Sequence, residues 1–168
     1  YNPKTTILID IINDNCIIGI DYTGLKLTRR DYRIKLSSNA LNPCIAYSML
    51  RIADIKEKDI ILDPFCKSGE IPIEATLYLQ NIPPNKNYIN KMLFTKLINY
   101  KPKTKTKNKK LKIHATDESQ NNLRYAQINA KIVNVNINFT KHNTEWLDTK
   151  FKENSINKII TFPPYPTN

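Results

Sequence analysis

Apolar and polar positions fall in short blocks along the chain. Residues 5–12 (TTILIDII) and 16–21 (CIIGID) are β-branched and apolar, and the turn formers Asn13, Asp14 and Asn15 lie between them. That pattern predicts a β-hairpin. A polar, basic stretch, TGLKLTRRDYRI, follows. Residues 42–54 place Ile45, Met49 and Ile52 on one helical face, with Asn42 as N-cap and Pro43 at the first helical position. DIILDP at 59–64 reads as a short buried strand, CKSGE as a tight turn and IPIEATLYLQ as a helix. Strand, glycine turn and helix together open a doubly wound α/β fold.

Residues 81–110 interrupt this rhythm with a short helix in YINKMLFTKLINY and a low-complexity close, KPKTKTKNKK. The rhythm then resumes. LKIHATD (111–117) is a strand. ESQNNLRYAQINAKIVN is a helix that offers Leu123, Ala126, Ile128 and Ala130 for packing. VNINFT (135–140) and INKIIT (156–161) are two more strands, the last closed by PPYP. The predicted order is hairpin, helix, then β-α-β-α-β-β in a mostly parallel sheet. The expected division is an N-terminal hairpin and basic connector at 1–36 and an α/β domain at 37–168, with a Lys-rich insertion at about 81–110.

Charge changes the picture. Lys plus Arg outnumber Asp plus Glu by 26 to 15, a net +11, which favours a polyanionic partner such as nucleic acid. Ala75 to Thr116 holds ten Lys and no acid. The plainer reading of that run is a solvated loop. Three widely spaced cysteines argue against a disulfide framework and for a reducing, cytoplasmic setting. His114 and His142 are far apart and there is no CxxC, which argues against a metal site. A mean hydropathy of −0.47 without a long apolar run argues against a membrane-spanning helix. The chain begins on Tyr1 without a signal-peptide pattern and reads as a fragment of a longer product.

In doubly wound folds, ligands bind beyond the carboxyl ends of the strands. Unusual residues cluster there in this sequence. The first strand of the sheet ends in Asp63-Pro64-Phe65-Cys66-Lys67-Ser68-Gly69, and the second in Asp117. The third runs into His142-Asn143-Thr144, and the fourth into Phe162-Pro163-Pro164-Tyr165. Ser68 and Gly69 let backbone amides approach a ligand at a helix N-terminus. An acid after the second strand suits ribose hydroxyls, although Asp117 also suits a helix cap. Two prolines before Tyr165 stiffen a backbone that presents a flat ring to an extruded base; the alternative is a strand terminator with a core Tyr.

These segments together resemble the THUMP-associated RNA methyltransferases, the UPF0020 group, closest to the archaeal tRNA guanine-N2 methyltransferases. GLKLTRRDYRI, ALNPCIAYSMLRIADI, DIILDPFCKSGEIPIEA, TDESQNNLRYAQINAKI and IITFPPY carry the likeness over roughly residues 17–165. It implies a Rossmann-like class I fold that uses S-adenosylmethionine to methylate the exocyclic amine of a guanine in tRNA. Asp63, Pro64, Phe65, Cys66, Ser68 and Gly69 match the first cofactor motif. Asp117, with Glu118 beside it, matches the ribose-binding acid. Asn143 and Thr144 lie near the adenine position, and Asn39, Leu41, Asn42 and Pro43 match the segment over the methionine moiety. Phe162, Pro163, Pro164 and Tyr165 match the catalytic motif, in which the base stacks on the aromatic ring and an Asn side chain and a backbone carbonyl polarise its amine.

The chain departs from the family at several of these positions. Phe162 replaces the Asn or Asp that accepts from the amine. Lys67 replaces a loop glycine, Glu70 a threonine near the cofactor's carboxylate, and Asn143 an acid. The strands stop after the fourth, where the family sheet continues, and no THUMP domain precedes them. The expectation is a truncated sheet completed by a partner chain or a second copy. Arg29, Arg30, Arg33, Lys101, Lys103, Lys105, Lys107, Lys109 and Lys110 are the expected RNA phosphate ligands, with internal salt bridging the alternative for the Arg cluster. Two other functions stay open: a catalytically degenerate, RNA-binding or partner subunit, and a DNA adenine amine methyltransferase. The Arg-rich string and DPFCKSGEIPIEA favour RNA over DNA.

Overall fold

A computed structural model of the chain describes residues 5–89, 91–98 and 105–165. The chain divides into two compact units, residues 1–29 with 85–103, and residues 30–84 with 104–168.

In the first unit, β1 (Ile7–Ile12) pairs antiparallel with β2 (Asn15–Ile20), Ile7 opposite Ile20 and Ile12 opposite Asn15. Asn13 turns the chain at φ +52°, a conformation Asn tolerates. The Asp21 carboxylate then accepts from the Thr23 and Gly24 amides and holds the next bend. The helix expected within 88–100 is two short ones, α3 (Lys86–Ile89) and α4 (Leu93–Leu97).

In the second unit, α1 (Pro43–Ile52) starts as the sequence predicts, with the Asn42 side chain accepting from the Cys44 amide. It is followed by β3 (Ile60–Asp63), α2 (Glu70–Leu79), β4 (Lys112–Asp117), α5 (Gln120–Ile132) and β5 (Asn138–Lys141). A 3₁₀ turn (Thr144–Trp146), α6 (Leu147–Lys150) and β6 (Lys158–Ile159) complete the described elements. The sheet order is β5-β4-β3-β6 and all three pairings are parallel. This is a Rossmann-like α/β sheet whose order reverses between β3 and β6, as expected from the pattern.

The third and fourth strands are shorter than predicted. Val135 donates back to Ala130 O after Asn134 turns at φ +54°, so this part of the expected strand closes α5 instead. β6 is two residues long, but Asn157 and Ile160 also donate to Ile60 and Leu62 carbonyls. No helix among the described residues is long and apolar enough to cross a membrane.

α2 is buried almost all round because it lies between α1 and the sheet. Its inner polar group is Glu74, 1% exposed. Arg30 Nε and Tyr32 Oη each donate to Glu74 Oε1 at 2.8 Å. Burial, with the Glu74 charge behind it, pushes the Tyr32 hydroxyl well above its ordinary pKa, so it stays a donor. Removing one partner of a buried ion pair strands the other charge. Glu74→Ala is therefore expected to lower unfolding free energy by about 3–5 kcal/mol, read as a large drop in the urea midpoint. An unchanged midpoint would mean the pair holds nothing.

Candidate active site

The carboxyl ends of β3, β4 and β6 meet at a cavity of about 470 Å³, a size that suits a small ligand. Asp117 forms its floor at the end of β4. Its Oδ2 accepts from the Lys67 amide at 2.9 Å, and its Oδ1 from the Ser119 amide and Asn122 Nδ2, each at 2.9 Å. Three donors aim a 7% exposed carboxylate, and Oδ2, with one protein donor, keeps capacity for a ligand hydroxyl. Asp117 is not the cap of α5; Ser119 is, accepting from the Asn122 amide.

The loop after β3 is wound tightly. Cys66 N donates to Thr116 O at 3.0 Å and Gly69 N to Cys66 O at 2.7 Å. Gly69 has φ +88°, and a Cβ there would lie 3.0 Å from Ala126 Cβ, so α5 can approach only because the residue is glycine. Lys67 has φ +48°, which is the strain expected of Lys in a glycine position. Its Nζ reaches Asn39 O at 3.4 Å and lies 4.3 Å from the centre of the Phe162 ring.

Only some of the expected cofactor residues face the cavity. Asn39, Phe65, Asp117 and Glu118 line it, beside Lys67 and, from the fourth strand end, Pro164 and Tyr165. Asp63 does not line it. It is 2% exposed, and its Oδ1 accepts from Phe65 N at 3.2 Å and Thr161 Oγ1 at 2.7 Å. It therefore ties the loop after β3 to the segment after β6. Pro64 and Cys66 are buried, and burial pushes the Cys66 thiol far up. Ser68 is buried, donating to Glu70 Oε1 at 2.7 Å and accepting from Ser37 N at 3.3 Å. Glu70 thus faces Ser68 and Arg33, not the cavity, and burial raises its pKa. Leu41 and Pro43 are core, and Asn42 caps α1. Asn143 caps the 3₁₀ turn, and neither it nor Thr144 lines the cavity. Ser38, Ser119 and Asn122 also line the cavity, although the sequence does not single them out.

Burial, the largest cause, pushes the Asp63 carboxyl up to about 7. The folded chain then holds a proton that the unfolded chain releases above about pH 4. Stability falls as pH rises from about 4 through about 7 and then levels. Asp63→Asn keeps an acceptor for Phe65 and Thr161 and removes the titration. It is expected to raise the urea midpoint at pH 8 and leave it nearly unchanged at pH 4. Equal shifts at both would contradict this assignment.

In the segment after β6, Tyr165 is 77% exposed, and its ring meets Phe162 edge-on at 6.1 Å. Phe162 is half-buried against the core, and Pro163 is exposed. The expected phosphate ligands separate. Arg30 is corrected to an internal role, since it is buried on Glu74. Arg33 Nη2 donates to Leu41 O at 3.4 Å and its Nε is 3.7 Å from Glu70, so its charge is largely spent inside. Arg29, Lys105, Lys107, Lys109 and Lys110 are exposed, with Lys107 and Lys109 both on Glu57. Lys101 and Lys103 lie outside the described residues. Among the described residues no group of His, Cys, Asp and Glu could hold a metal ion.

The family model described as RMKL-like, methyltransferase domain, of UPF0020, matches residues 30–167. The chain belongs to the UPF0020 family. Similar proteins include the tRNA (guanine(6)-N2)-methyltransferase of Methanocaldococcus jannaschii, 37% identical over 97% of this chain and 45% of that protein. The enzyme of the same name from Archaeoglobus fulgidus is 31% identical over 97% of this chain and 40% of its own. The chain thus spans under half the length of either relative. Among solved structures, SMU.472, a presumed methyltransferase complexed with SAH, superposes with a TM-score of 0.77 at 25% identity, covering 98% of this chain and 45% of its own. TrmN from Thermus thermophilus shares the fold, with a TM-score of 0.68 at 23% identity, covering 98% and 40%.

Proposed function

We propose that this UPF0020 chain is the catalytic domain of an S-adenosylmethionine-dependent methyltransferase acting on the N2 amine of a guanine in tRNA. The observation that carries the reading is the cavity at the switch point between β3 and β6, with the aimed Asp117 carboxylate on one side and exposed Tyr165 on the other. The names of the two archaeal relatives and the SAH complex of the structural neighbour support it.

The residues present fit that cofactor. Asp117 Oδ2 would take the ribose hydroxyls, and the 65–69 loop with Asn39 would hold the methionine end. When bound, the cofactor supplies an electrophilic methyl group on a sulfonium. Tyr165 stacks the base, Pro163 and Pro164 fix the ring's angle, and a backbone carbonyl at 162–163 accepts from the amine. Phe162 supplies no acceptor, so positioning carries most of the rate. In this reading residues 37–168 form the catalytic body, residues 1–36 are a hairpin and connector, and the 81–110 insertion faces RNA. The setting is the cytoplasm.

A second reading rests on the Lys67–Phe162 stack at the cavity wall. There the chain keeps the cofactor fold but serves as a non-catalytic RNA-binding subunit. Calorimetric titration with S-adenosylmethionine tests the first reading. Micromolar binding is expected, and no heat at millimolar cofactor would overturn it.

A further inference from the structure

The outer surface of α1 and α2 carries an aromatic and basic cluster at the end of the sheet opposite the cofactor cavity. Tyr47 and Tyr78 meet edge-on at 5.7 Å. The Arg51 guanidinium lies 5.6 Å from the Tyr78 ring centre and 5.9 Å from that of Tyr47, and its Nη1 donates to Tyr47 Oη at 3.0 Å. Two cavities share Tyr78 and Asn81 as a common wall. One, about 330 Å³, runs from Tyr47 to Pro83 and Pro84. The other, about 900 Å³, lies beside residues 55–58, which lead into β3, and takes in Lys56, Lys58 and Lys107. Glu57 is shared by Lys107 and Lys109 and so neutralises only one of them, while Lys56 is paired with Asp54 at the exposed rim. Lys58 has no partner among the described residues.

Flat rings with an arginine, next to a wide basic groove, form the combination that holds unpaired nucleic acid. Bases stack on any π-face while lysines follow the backbone. A solvated surface accounts for lysines but not for an exposed arginine set against two tyrosines, one of which, Tyr78, lines both cavities. We propose that this surface is a single-stranded RNA site separate from the cofactor cavity. Tyr78 and Arg51 stack an unpaired base, and Lys56, Lys58 and Lys107 take the flanking phosphates. The proposal deepens the RNA-directed reading above and rests on it.

The test is fluorescence anisotropy of a labelled oligoadenylate with the intact chain. Arg51→Ala, at an exposed position, and Tyr78→Ala are each expected to weaken binding about tenfold. The triple variant Lys56→Gln, Lys58→Gln, Lys107→Gln is expected to reduce the log–log salt slope by about 2. Binding that is absent in the wild type, or unchanged in both the stacking variants and the triple variant, would overturn the site. Titrating the same proteins with S-adenosylmethionine separates the two readings. Unaltered cofactor binding in the variants supports a distinct site. A chain that takes RNA here but no cofactor would overturn the methyltransferase reading and leave this site standing.

Discussion

Phe162→Asn in a Lys67→Gly background is expected to raise methyl transfer to tRNA about 100-fold. An amine losing a proton as it attacks needs an acceptor, and a phenyl ring offers none. Phe162→Asn alone is expected to gain only about tenfold, below the roughly 100- to 1,000-fold that a single polarising contact supplies when it is fully made. Lys67 Nζ lies 4.3 Å from the centre of the present ring, so a new carboxamide oxygen there would accept from the ammonium first. Lys67→Gly frees that oxygen and relieves the left-handed strain at φ +48°, worth about 1 kcal/mol. The two changes are therefore coupled and the cycle is non-additive. Initial rates of tritiated methyl incorporation for the four proteins measure it. Strictly additive gains, or none in the double variant, would remove Phe162 as the limiting feature.

Asp117→Ala is expected to weaken S-adenosylmethionine binding about 100-fold, the loss of charge-assisted bonds to two hydroxyls. The loss has a second source. Lys67 N, Ser119 N and Asn122 Nδ2 all donate to this carboxylate, so the loop and the start of α5 lose their shared anchor. Michaelis constants for the cofactor should rise far more than turnover falls. Calorimetry that finds the variant binding like the wild type would place the cofactor elsewhere.

The strand ends were legible in the sequence because a doubly wound fold sends its chemistry there. Asp117 and Tyr165 sit where that rule predicts. The Asn42-Pro43 start of α1 was legible because capping is local. Arg30 was not. Its charge suited a phosphate or an internal salt bridge alike. Only the fold decides between them, because the partner Glu74 lies 44 positions away on a helix buried almost all round. Asp63 also looked like a cofactor ligand. Only the parallel pairing of β3 with β6 brings Thr161 to it and turns the carboxyl inward. Ser38, Ser119 and Asn122 carry no motif. They reach the cavity through the left-handed turn at Asn39 and the first turn of α5, which residue type alone does not reveal.

Nucleoside mass spectrometry of unmodified tRNA, incubated with the chain and S-adenosylmethionine, tests the central claim most directly. The account predicts N2-methylguanosine that accumulates with time and accumulates faster with the Lys67→Gly, Phe162→Asn protein. No methylated nucleoside from either protein, under conditions where calorimetry shows the cofactor bound, would contradict it.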